Sequence, residues 1–183
     1  MPSALLFADL VTGYLRAVTD QAPPTSAFDA AKYRQVLGHF PTGVTVITAL
    51  CEGAPAGTAI GSFASLSLEP PQVLFCVGQS STTWPKLRHA GQFCVNILAE
   101  DQEGVCRVFA GKAEDKFAEI GWKRSGNGAP LLDGVLGYID CSIADVVPSG
   151  DHDIVIGDVT DLDVLREGGP LLFFRGGYGN FQL

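Results

Sequence analysis

Gly43-Val-Thr-Val-Ile-Thr-Ala-Leu50, followed after a short break by Gly57-Thr-Ala-Ile-Gly-Ser-Phe-Ala-Ser-Leu-Ser67, decides the fold class. The first run is rich in β-branched residues, which suit the pleated surface of a strand. Residues 51–55 read as a turn, and residues 56–68, small and hydroxylated, as one long or bent strand. Pro70-Pro71 then breaks the chain before 72–77, an apolar run short enough to be a buried strand. Further out, 93–98, 136–146, 153–165 and 171–174 read as strands, and 83–90 and 101–109 as short helices. Six or seven strands that do not alternate with long helices predict a mainly β fold. A β-barrel with a few short helices fits better than a doubly wound parallel sheet.

Upstream, Leu6, Leu10, Tyr14 and Val18 recur every four residues, which predicts an amphipathic helix over 4–18. Residues 19–25, with Pro23-Pro24, read as a linker, so 1–25 form a helical extension and 26–183 the main domain. Ser26-Ala-Phe-Asp29 has the pattern of a capping box, opening a helix with Tyr33, Val36 and Leu37 that Gly38 can end. The N-terminus has no basic region before its short apolar run, and no stretch reaches the 18 apolar residues of a membrane span.

Composition limits the partners. Of 183 residues, 46% are hydrophobic and 17% charged, which argues against a disordered chain. The net charge of −8 argues against nucleic acid and anionic lipid, both of which need a basic face. That acidity is concentrated after residue 125, where two basic residues face nine acidic ones. The stretch holding Lys86, Arg88, Arg107, Lys112 and Lys116 is where an anionic cofactor is tolerated. Five cysteines, an odd number with no C-x-x-C pair, support neither a disulfide framework nor a zinc knuckle, and a reducing cytoplasm is expected. Cys76, Cys94 and Cys141 lie in apolar runs, where a thiol acts as a small hydrophobe.

Catalytic signatures are missing: there is no G-x-G-x-x-G, Walker loop, H-E-x-x-H or G-x-S-x-G. Asp151, Asp153, Asp158, Asp161 and Asp163 lack the glycine and terminal Glu of a calcium loop and read as solvated strand faces and ends. Four loops remain. In Gly57–Ser67 two glycines let a ligand approach the backbone, and Ser62, Ser65 and Ser67 would share one strand face, though such a strand is more often structural. In Gly78-Gln-Ser-Ser-Thr-Thr-Trp-Pro-Lys86, hydroxyls precede a helix whose free N–H groups suit an anion, or simply cap that helix. Ser149-Gly-Asp-His-Asp153 places His152 in a turn, either functional or merely exposed. Gly176-Gly-Tyr-Gly179 exposes Tyr178, or is a flexible tail.

In order, these pieces resemble the flavin reductase-like family with the FMN-binding split β-barrel. The match is carried by Phe40-Pro-Thr-Gly-Val-Thr-Val-Ile-Thr48, Gly61-Ser-Phe-Ala-Ser-Leu-Ser-Leu-Glu-Pro-Pro71, Ser80-Ser-Thr-Thr-Trp-Pro85 and Phe93-Cys-Val-Asn-Ile-Leu98. Phe109-Ala110, Asp115-Lys-Phe117, Gly150-Asp-His152 and Pro170-Leu-Leu-Phe-Phe174 with Tyr178 complete it, covering residues 28–181. The resemblance implies an NAD(P)H:flavin oxidoreductase that reduces FAD or FMN for a separate flavin-dependent monooxygenase, and a homodimer. NADH is expected ahead of NADPH, because no Arg cluster awaits a 2′-phosphate.

By the same resemblance, Thr58, Ala59, Ile60, Gly61, Ser62, Ser65, Ser67 and Cys76 would line the flavin ring and ribityl chain. Ser80, Ser81 and Thr82 would hold its phosphate, Phe109, Ala110 and Lys116 would complete the pocket, and His152 and Tyr178 would seat the nicotinamide. Hydride transfer between cofactors needs no acid–base triad. Many relatives carry Ala-Asn where this chain has Ile60-Gly61, so any contact from that Asn side chain is lost here. A flavin carrier or electron-transfer flavoprotein on the same barrel, which would keep its flavin bound, is the alternative. A purely structural barrel is the third reading.

Overall fold

In the computed structural model, residues 29–181 are described. The helix expected over 4–18, the linker over 19–25 and Ser26 lie outside them. The chain divides between Leu37 and Gly38 into two compact units. Before the division, helix α1 spans Ala30–Leu37. Asp29 caps it: its Oδ1 accepts from the N–H groups of Ala31 at 2.8 Å and Lys32 at 3.3 Å.

After the division the described residues form twelve strands. These are β1 (Thr42–Gly43), β2 (Thr45–Cys51), β3 (Ala54–Ile60), β4 (Ala64–Leu68), β5 (Pro71–Gly78), β6 (Gln92–Ile97), β7 (Trp122–Arg124), β8 (Pro130–Leu132), β9 (Gly137–Ser149), β10 (His152–Val164), β11 (Leu172–Phe174) and β12 (Gly177–Gly179). Helix α2 (Trp84–Ala90) follows β5, and α3 (Glu103–Ala110) follows β6. Seven strands form one antiparallel sheet in the order β3-β2-β6-β9-β10-β5-β4.

Residues 56–68 are thus two strands, not one, and they occupy opposite edges of that sheet. Seven flat strands would separate the edges by roughly 29 Å, at about 4.8 Å per step. The connection through Gly61, Ser62 and Phe63 reaches at most about 14 Å. The sheet must curl until its edges approach, and a barrel results. The turn expected over 51–55 is only Glu52-Gly53, both at positive φ, so β2 and β3 form a tight hairpin. The sequence reading missed β1, β12 and the β7–β8 hairpin.

Two cores explain the continuous apolar reading of β2, which is buried on both faces. Ile47 and Ala49 point into the barrel with Phe75, Phe93, Val95 and Val155, under Trp84 and Leu87 of α2. Phe75 meets Phe93 and Trp84 edge to face, with centroids 5.4 and 6.4 Å apart. Val44 and Val46 point the other way, to Leu98, Cys106, Phe109, Leu131 and Leu171. Buried Asn96 ties β6 to its neighbours, donating to Val46 O at 3.1 Å and Thr48 Oγ1 at 3.0 Å while its Oδ1 accepts from Leu132 N–H at 2.8 Å. Such satisfied polar groups fix strand register inside an otherwise apolar core. No helix among the described residues is long and apolar enough to cross a membrane.

Candidate functional site

The close packing of α3 on β3 shapes one wall of a cleft. Gly57 makes this approach possible, because a Cβ there would lie 2.7 Å from Phe109 Cε1. Across from that wall stand 80–83 and the first turn of α2, and 111–118 closes the end. The enclosed volume is about 1020 Å³. The apolar lining includes Ala54, Pro55, Ala56, Phe109 and Phe117, and the polar lining includes Thr58, Ser80, Ser81, Thr82, Thr83, Lys86, Lys112 and Lys116 together with two carboxylates, Glu114 and Asp115.

Ser81 has two duties. Its Oγ accepts from the N–H groups of Thr83 at 3.3 Å and Trp84 at 3.2 Å, so the capping alternative is met by Ser81, whereas Thr83 makes no side-chain cap bond. Its own O–H remains a donor. Lys116 braces 111–118, donating to Phe109 O at 2.8 Å and Gly57 O at 3.4 Å. Partial burial holds its pKa below the usual lysine value. Among the described residues neither Lys86 nor Lys112 has an ion-pair partner. Two unpaired ammonium groups, a row of hydroxyls and an apolar wall suit a flat ligand carrying phosphate. That donor set fits a flavin nucleotide.

Of the expected site residues, the structure brings Thr58, Ser80, Ser81, Thr82, Phe109, Ala110 and Lys116 to this cleft. Phe109 contributes from a fully buried position. Ala59, Ile60, Gly61, Ser62, Ser65, Ser67, Cys76, His152 and Tyr178 do not line it. The single face expected for Ser62, Ser65 and Ser67 is absent. Ser62 precedes β4, and a register shift separates Ser65 from Ser67. Ser62 instead pins the bend to β5, its Oγ donating to Cys76 O and accepting from Cys76 N–H, both at 3.0 Å.

His152 opens β10 opposite Gly78, with Nδ1 2.7 Å from Asp151 Oδ1. A Cβ on Gly78 would lie 3.8 Å from His152 Nε2 and 3.9 Å from Ser80 Oγ, so the histidine borders the hydroxyl loop. Tyr178 lies in β12, half-buried rather than exposed. A 3.3 Å hydrogen bond joins its hydroxyl to Cys106 Sγ, and Arg107 sits over its ring at 4.9 Å. The bond to Cys106, with burial, pushes its pKa up to about 12. Among the described residues no hydrogen bond or ring contact joins His152 to Tyr178.

Sequence reasoning missed part of the wall, residues 54–56, 111, 113 and 114, while Lys112 was signalled only by the basic character of the middle stretch. It also misplaced Asp153. Far from lying on a solvated face, Asp153 is 6% exposed, and its Oδ1 accepts from Gln79 Nε2 at 2.9 Å and its Oδ2 from Trp84 Nε1 at 2.8 Å. Those bonds hold its carboxyl below the usual range.

Known proteins share this architecture. The flavin reductase like domain matches residues 37–182. A flavin reductase of Pseudomonas putida is 51% identical over 157 residues, covering 85% of this chain and 92% of that protein. The reductase subunit HsaB of a flavin-dependent monooxygenase from Rhodococcus jostii is 48% identical, covering 89% and 84%. The NADH:FAD oxidoreductase SgcE6 of Streptomyces globisporus, solved with NAD and FAD fragments, superposes with a TM-score of 0.81 at 34% identity, covering 88% and 98%. With its split barrel and its ordered loops, the chain belongs to the flavin reductase-like family.

Proposed function

We propose that this chain reduces FAD or FMN with NADH and releases the reduced flavin to a separate flavin-dependent monooxygenase. The observation that carries this reading is the cleft, where Ser80, Ser81, Thr82 and Lys86 face the α3–β3 wall in a chain of this family. Flavin, when bound, supplies the redox chemistry by taking a hydride from nicotinamide.

The chain's own residues bind and orient. Thr58 and the β3 backbone flank the ring system, while Ser80, Thr82 and the free Ser81 O–H donate to phosphate. Lys86 and Lys112 balance its charge, and Ala59, Ile60, Gly61, Ser65 and Ser67, with Cys76, shape the side of the barrel nearest the ring. His152 and Tyr178 seat the nicotinamide. NADH is favoured over NADPH by the want of an arginine cluster and by the likeness to SgcE6. Exposed Leu68, Leu162 and Val164 offer apolar surface that a second copy would cover in a homodimer. Five free thiols suit the cytoplasm.

The test is NADH oxidation followed by absorbance with FAD, FMN or riboflavin added. Turnover that saturates with FAD or FMN is expected, with reduced flavin recovered in free solution. Reduced flavin that stays bound would favour a carrier, and no flavin-dependent rate with either nicotinamide would reject the enzyme.

A further inference from the structure

Two segments from distant parts of the chain meet beside the cleft, the first of them lining it. One is 78–83, with the hydroxyls of Ser80, Ser81 and Thr82. The other is the turn 149–153, with His152. One main-chain and one side-chain bond link them at their edges: Gln79 N–H donates to Asp151 O at 3.0 Å, and the Gln79 side-chain Nε2 donates to His152 O at 3.4 Å. The strand register adds His152 opposite Gly78 and Asp153 opposite Val77.

The link that is out of the ordinary is Asp153. It points inward from β10 with Val155 and Gly157, among apolar side chains. A carboxylate in that position is tolerated only when its oxygens are paired. Both are: Gln79 approaches one from the start of the hydroxyl loop, and Trp84 approaches the other from the first residue of α2. The two donors bracket the segment that carries Ser80, Ser81 and Thr82. Trp84 is itself 4% exposed and braced against Phe75, so its indole N–H is a fixed point rather than a mobile one.

We propose that Asp153 is a positioning residue that holds the hydroxyl loop and the His152 turn as one body, so that one buried carboxylate sets both the flavin and the nicotinamide sites. This rests on the flavin reductase reading for what the two segments bind. The mechanical coupling itself rests only on the bonds described. The geometry sets a rank among substitutions. Asp153→Ala loses both acceptors. Asp153→Asn keeps one oxygen for Trp84, and a rotated Gln79 amide can accept from its new N–H₂ at the loss of the longer bond to His152 O, so both links to residue 153 are rebuilt. Trp84→Phe removes one donor and leaves the ring.

Steady-state kinetics with NADH and FAD varied in turn test the idea, alongside amide hydrogen exchange on the flavin-free protein. Asp153→Ala is expected to raise the KM for FAD and for NADH together by about tenfold, with kcat changed less than about threefold. Trp84→Phe should fall between it and wild type, and Asp153→Asn should restore both constants. Exchange should rise in 78–83 and 149–153 together in Asp153→Ala. A lower Tm with both KM values unchanged, or a change confined to NADH, would overturn the proposal. If Asp153→Ala does not fold, Trp84→Phe and Gln79→Ala each remove one donor and carry the same expectation. If the wild-type enzyme shows no flavin-dependent oxidation, the functional reading fails. Exchange that rises in one segment alone would sink the coupling whatever the activity.

Discussion

The two loops that wall the cleft are fastened by opposite means. Residues 78–83 are gripped through Asp153, a buried anion that accepts from two side chains. Residues 111–118 are held by Lys116, a half-buried cation that donates to two main-chain carbonyls. Side-chain donors can be removed one at a time, whereas carbonyls cannot be mutated away. The second anchor therefore depends on the lysine and on the surface beneath it. The difference also sets reach: the first fastening continues into the His152 turn, and the second ends on β3 and α3.

That surface is where the largest effect is expected. Gly57→Ala places a methyl 2.7 Å from Phe109 Cε1 and 3.2 Å from Thr48 Cγ2, both within packed structure. Pushing α3 away should cost about 1–3 kcal/mol in urea unfolding. It also displaces the Phe109 carbonyl that Lys116 grips. A variant as stable as wild type would show that α3 does not rest on β3 as described.

Next comes Lys116→Met, which keeps the alkyl stem and removes the ammonium. Loss of its hydrogen bonds should cost about 1 kcal/mol and raise the flavin KM several-fold. The NADH KM should stay within about twofold of wild type, since among the described residues no hydrogen bond or ion pair ties this loop to His152. That asymmetry is the contrast with Asp153→Ala. Equal movement of both constants would erase the distinction between the two fastenings.

How much of this the sequence carried depends on how local the signal was. β2 and β5 were legible because β-branched and apolar residues run through them in strand pattern. The break at Gly61-Ser-Phe63 holds no proline and so was read through, although the three-residue step from Ser62 to Ser65 already departs from the two-residue period of a strand. What the local sequence does not carry is that the two strands fall on opposite edges of the sheet. The three-residue strands β7, β8 and β12 are too short for any period to register. The hydroxyl loop was readable as an anion site from residue type alone. Asp153 was not readable, because it stands in a row of aspartates and its partner Trp84 is 69 residues away.

A smaller effect separates wild type from Asp153→Asn along the pH axis. The native carboxyl has a pKa below its unfolded value because Gln79 and Trp84 donate to the ionised form. Its contribution is fully present above the unfolded pKa of about 3.9 and is lost as pH falls through the native value. Wild type and Asp153→Asn should therefore converge in Tm as pH drops below about 4. A gap that widens toward acid would mean the carboxyl is not stabilised in its charged form.

The smallest effect is expected two residues earlier. Asp151 and Asp153 flank the same histidine, and Asp151 lies closer to it, with Oδ1 2.7 Å from His152 Nδ1. Proximity would give Asp151 the greater influence. Burial argues the reverse: the Asp151 side chain is 96% exposed and that of His152 50%, so water and salt screen the pair. The hydrogen bond lowers the Asp151 pKa, yet water can replace His152 as the partner at little cost. Asp151→Asn should leave Tm unchanged and shift the NADH KM by less than about twofold, an effect that fades further in high salt. A loss matching that of Asp153→Ala would mean that His152 is set by its exposed neighbour, and the buried carboxylate would lose its claim to position the nicotinamide site.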